Sequence, residues 1–129
     1  MTSLSPSTVD VMGIMRRALD RFAASTDDIE AEELRGDAEA HACAPIAMGH
    51  DREVVTMHGT LRAVTLRPRG GVAALEAELY DGSGSVTLVW LGRRRIAGVD
   101  PGRHMTVHGR LSLIDDVRIL YNPRYELTQ

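Results

Sequence analysis

The chain contains no lysine, a single cysteine and no long apolar run. No stretch approaches the roughly 20 apolar residues that a membrane-crossing helix needs, so no membrane span is expected. The opening Met1-Thr2-Ser3-Leu4-Ser5-Pro6 lacks the basic and apolar regions of a secretory signal, and a cytoplasmic location is expected. Cys43 has no second cysteine to pair with, in keeping with a reducing compartment. Also missing are a phosphate-binding glycine loop, a nucleophile elbow and a zinc-protease helix; no catalytic residue is assigned, and neither enzymatic activity nor a cofactor is expected. Because lysine is absent, every fixed cation is an arginine, whose guanidinium stacks on bases and forks onto phosphates.

With 129 residues there is room for one hydrophobic core and a small helical extension. The charge is unevenly spread. Residues 1–50 carry four arginines against nine acids, and residues 51–129 carry eleven against nine, so an acidic first part precedes a mildly basic second. From about Thr8 to Ala24 the apolar residues Val11, Met12, Met15, Ala18, Leu19 and Phe22 recur at helical spacing, which predicts an amphipathic helix capped near Ser7. A second, weaker helix is predicted over Ile29 to Ala40, rich in Ala, Glu and Leu but with a thin apolar stripe and Gly36 within it. Cys43-Ala44-Pro45-Ile46 ends helical periodicity, and a boundary near Asp51 divides a helical, acidic extension (1–50) from the remainder (51–129).

Beyond that boundary the pattern alternates. Thr56-Met57-His58-Gly59-Thr60-Leu61 is echoed by Thr106-Val107-His108-Gly109-Arg110-Leu111, each a strand with a glycine where a small barrel would bend or bulge. Leu75, Ala77 and Leu79 alternate with Glu76, Glu78 and Tyr80 in another strand, and Asp81-Gly82-Ser83-Gly84 turns it into Ser85–Leu91. A single helical turn over Arg93 to Val99, the reversal Asp100-Pro101-Gly102 and a last strand over Val117–Tyr121 complete five strands.

This order, closing on Asn122-Pro123-Arg124-Tyr125, resembles the OB-fold nucleic-acid-binding domains over roughly residues 52 to 127. Examples are the wedge domain of branch-migrating DNA helicases and the OB domains of bacterial replicative polymerases and aminoacyl-tRNA synthetases. With its Trp90-Leu91-Gly92-Arg93-Arg94-Arg95 run, the chain also resembles small stand-alone actinobacterial OB proteins. The resemblance implies an all-β, five-stranded Greek-key barrel after one or two helices, and a partner that is single-stranded nucleic acid, DNA ahead of RNA, bound weakly and with strong salt dependence.

The candidate contacts are Arg67 and Arg69 in a glycine-bearing loop, Arg93, Arg94 and Arg95 beyond the third strand, and Tyr80 and Trp90 as stacking rings. Each has a plainer alternative: the three arginines pairing with Glu76, Glu78 or the acidic extension, and Trp90 packing in the core. Glu76 and Glu78 on the second strand oppose phosphate binding there. His58, His104 and His108 sit on strands without a paired cysteine motif, and no metal site is expected. The alternative function is a protein-interaction or homo-oligomerisation module, built on the barrel and on the Met12, Met15, Leu19 and Phe22 stripe of the first helix.

Overall fold

The structure, a computed structural model, describes residues 26–128; the predicted first helix and its Met12, Met15, Leu19 and Phe22 lie outside the described residues. A helix, α1, spans residues 26–40. From Ala31 onward the chain forms one compact unit. Six strands follow a short 3-10 turn at Ile46–Met48: β1 (Val54–Leu66), β2 (Ala74–Tyr80), β3 (Ser85–Leu91), β4 (His104–Ile114), β5 (Val117–Tyr121) and β6 (Arg124–Thr128). The sheet runs β1-β2-β3-β5-β4 and closes by pairing β4 with β1. All these ladders are antiparallel except β3 with β5, which is parallel. The expected five-stranded closed barrel, preceded by a helix, is therefore what the chain builds.

Alternation explains the closure. Met57 and Leu61 of β1, Leu79 of β2, Val86 and Leu88 of β3, Met105, Val107 and Leu111 of β4 and Leu120 of β5 all point inward and are buried. The long β1 serves two neighbours, β4 with its first half and β2 with its second, and Thr60 pairs with both Tyr80 and His104 at the handover. Gly59 stands at that crossing, where an added Cβ would run into the Tyr80 carbonyl. The register shift falls between Leu61 and Ala63, so the bulge predicted at the glycine lies just beyond it, at Arg62. Gly59→Ala is expected to cost about 1–3 kcal/mol, because the obstruction is backbone and cannot rotate away. A thermal melt of the variant checks this.

Two elements differ from the sequence expectation. A sixth strand, β6, continues along β4 past the end of β5 after a corner at Asn122 (φ 50°) and Pro123. Its residues are mostly polar, with Leu127 packed against the core and Tyr125 against the Trp90 ring, so periodicity does not mark it. The link from β3 to β4 is not the helical turn expected over Arg93 to Val99 but an irregular segment with one tight turn, closed by the Val99 N–H bonding the Ile96 carbonyl at 3.1 Å. Ile96 and Val99 are buried and join the barrel core.

Leu34 and Ala38, four residues apart on α1, are buried, as are Cys43 and Ile46 after it. The thin stripe read from the sequence is thus enough to seat this helix. Burial pushes the Cys43 thiol up from its ordinary value, with Asp81 adding to the rise and Arg35 opposing it. A raised pKa leaves less thiolate, so Cys43 should alkylate with iodoacetamide on the order of tenfold more slowly than free cysteine near pH 8, a rate read directly by mass spectrometry.

Candidate nucleic-acid interface

The β1–β2 connection is an extended hairpin tip. Arg69 and Val72 exchange backbone bonds of 2.8 and 3.0 Å around Gly70 (φ 56°) and Gly71 (φ 79°), the two positive angles that a tight hairpin turn of this hand requires. This tip lays Arg69 across the outside of the barrel. Its Nε bonds Glu76 Oε2 at 3.1 Å, its Nη1 bonds the Tyr121 hydroxyl at 3.3 Å, and its guanidinium lies 5.8 Å from the Tyr121 ring centre. The hydrogen bond that Arg69 donates to Glu76 is the main reason its pKa is raised.

The outer side of β2 is otherwise occupied. Glu78 accepts a bond from Ser85 Oγ at 3.1 Å, and the Arg62 guanidinium covers the Tyr80 ring at 3.5 Å. A hollow of about 130 Å³ lies here, bounded by Thr65, Arg67, Glu76, Glu78 and Thr87. That is well below the roughly 300–1,000 Å³ of small-molecule pockets.

Arg93, Arg94 and Arg95 are all exposed. They begin right beside the Arg67 loop, because the Gly92 N–H bonds the Ala73 carbonyl at 2.7 Å where that loop rejoins β2. The β5–β6 corner is pinned to the same place by Asn122, whose Oδ1 accepts the Leu91 N–H at 2.9 Å. Among the described residues, no acid pairs with these three arginines: Glu76 is bonded to Arg69 and Glu78 to Ser85.

Trp90 belongs to the barrel. It is 5 % exposed, its Nε1 donates to the Pro123 carbonyl at 3.2 Å, and Tyr125 packs edge-on against it at 5.7 Å. No ring face remains for a base. Two rings that sequence reasoning passed over are better placed: Tyr121 is 40 % exposed and Tyr125 39 % exposed. Tyr121 was within reach, since in Ile119-Leu120-Tyr121 it alternates away from the core residue Leu120. The basic end thus combines Arg67, Arg69 and Arg93 to Arg95 with two exposed tyrosines flanking the corner at Asn122.

His58 and His104 lie together, their ring centres 6.3 Å apart, and His108 has another partner. His108 Nδ1 lies 2.8 Å from the Thr56 hydroxyl across the β1–β4 ladder. His58, fully buried, reaches Asp37 of α1 through Nε2 at 2.8 Å and the Thr106 hydroxyl through Nδ1 at 2.7 Å. Burial lowers the His58 pKa against the opposing pull of Asp37. Burial raises that of Asp37, but the His58 bond and the neighbouring imidazoles outweigh it and the net direction is downward.

A closed five-stranded barrel with the 1-2-3-5-4-1 pairing and a parallel β3–β5 contact defines an OB-like fold. A solved structure of RecG bound to a three-way DNA junction is similar to it, with a TM-score of 0.49 and 23% identity over 60% of this chain and 11% of that one. The match therefore spans about a tenth of the RecG length. No family model and no curated protein matches the sequence.

Proposed function

We propose that the chain is a non-catalytic OB-type protein that binds single-stranded nucleic acid across the end of the barrel where the Arg67 loop, Gly92–Arg95 and the β5–β6 corner meet. The observation that carries this reading is the cluster of three exposed arginines beside exposed tyrosines, with Glu76 already engaged by Arg69. Arg69 offsets Glu76 and so removes most of the repulsion that β2 would otherwise direct at a phosphate. Arg67, Arg93, Arg94 and Arg95 supply phosphate contacts, and Tyr121 and Tyr125 supply faces on which bases stack at about 1–3 kcal/mol each. Tyr80, under the Arg62 guanidinium, is a secondary platform at most.

Fluorescence anisotropy with labelled oligothymidine and oligouridine at rising salt tests the proposal. Micromolar binding at low salt is expected, falling linearly on a log–log plot as counterions are released. No binding at tens of micromolar protein in low salt would sink it. The same titration shows whether DNA is preferred to RNA.

A further inference from the structure

We propose that Asp37, His58 and His104 form a site for a divalent transition metal, zinc being the ion their donors suit, which ties α1 to strands β1 and β4. One ligand atom from each residue lies within 4.8 Å of the other two. Asp37 Oδ2 is 2.8 Å from His58 Nε2 and 3.5 Å from His104 Nδ1. Ligands of a tetrahedral zinc ion, with bonds of about 2.0–2.1 Å, stand about 3.3 Å apart. The two measured separations bracket that edge, and the third closes by a modest swing of the imidazoles.

The surroundings favour an ion. The Thr106 hydroxyl, 2.7 Å from His58 Nδ1, can accept a hydrogen bond from an N–H there, which leaves Nε2 as the lone-pair donor on the Asp37 side. His41 lies flat against His58 at 3.9 Å and is anchored by a 2.9 Å bond between its Nδ1 and the Asp37 carbonyl, forming a wall of the site. Two buried side-chain polar atoms among the described residues have no hydrogen-bond partner, His104 Nδ1 and Thr128 Oγ1. They belong to directly paired residues of β4 and β6, so both lie on the same side of the sheet. A buried nitrogen facing a carboxylate without a hydrogen bond is costly, and a cation between them removes that cost. Two imidazoles and one carboxylate match the nitrogen and oxygen donors of zinc, and water completes the fourth position.

Sequence spacing gave no warning, because Asp37 is 21 residues from His58 and on a different element. The test uses the full chain after chelator treatment and dialysis, titrated with zinc chloride by calorimetry and by thermal shift. One zinc per chain and a melting temperature raised by about 5 °C or more are expected at saturating metal. Cobalt(II) should give the visible absorption of a tetrahedral nitrogen–oxygen site. His104→Ala and Asp37→Asn, checked for native circular dichroism, should lose both signals, whereas His108→Ala should keep them. If the wild type shows neither heat nor a thermal shift, or if His104→Ala and Asp37→Asn bind zinc as the wild type does, the assignment is overturned. Should one of these variants fail to fold, the other, with the cobalt spectrum, decides the matter.

Discussion

Replacing Asp81 with alanine is expected to destabilise the fold by about 3–5 kcal/mol, the loss typical of breaking a buried ion pair from one side. Its carboxylate is fully buried. One oxygen, Oδ1, accepts the Ser83 N–H at 2.9 Å, the Ser83 hydroxyl at 2.6 Å and the Gly84 N–H at 3.2 Å, which fixes the β2–β3 turn. The other, Oδ2, accepts the Ile46 N–H at 2.9 Å and the Arg35 guanidinium at 2.6 Å, which fastens the 3-10 turn and α1 to that same turn. Alanine would leave the Ile46 N–H buried without a partner and free Arg35 from its place. Asp81→Asn should recover only part of the loss, since its amide nitrogen must face one of these sets of donors. Urea unfolding at neutral pH measures the change. A loss below about 1 kcal/mol for the alanine variant would show that the carboxylate is not the tie described.

The second large effect is expected from Arg93→Ala, Arg94→Ala and Arg95→Ala combined. If each arginine meets one phosphate, the slope of log affinity against log salt falls by about 0.7 per contact for a single strand, or about 2 in all. At 0.1 M salt that corresponds to a weakening of about 100-fold. All three side chains are exposed, so stability should stay within about 0.5 kcal/mol of the wild type and the binding loss cannot be blamed on unfolding. Arg69→Ala makes a useful contrast. It removes a cation and also uncovers Glu76, so its effect on binding should exceed that of removing any single one of the three. A triple variant that binds with unchanged salt slope would move the contact surface elsewhere.

Much of the barrel is legible in the sequence because strand alternation and turn glycines are local signals. Leu75, Ala77 and Leu79 read as one buried face, and the structure buries them all. What escaped reading depends on contacts between distant segments. Asp81 looks like an ordinary turn residue, and its partners Arg35 and Ile46 lie 46 and 35 positions away. β6 escaped because it presents few apolar residues, its order coming from pairing with β4. Trp90 could be read either as a core residue or as a stacking ring, since a ring at a strand end packs or projects according to what covers it, and here Pro123 and Tyr125 cover it. The basic end was half visible: the arginine run and the Arg67 loop stand out, but their adjacency rests on the Gly92–Ala73 bond.

Backbone chemical-shift mapping during titration with oligothymidine tests whether single-stranded nucleic acid lies across this basic end. The largest shifts are expected at residues 67–73, 92–95 and 121–125, with little change at the opposite β4–β5 turn, Asp115-Asp116. Shifts confined to that turn or scattered evenly over the barrel, or none at saturating oligonucleotide, would contradict it.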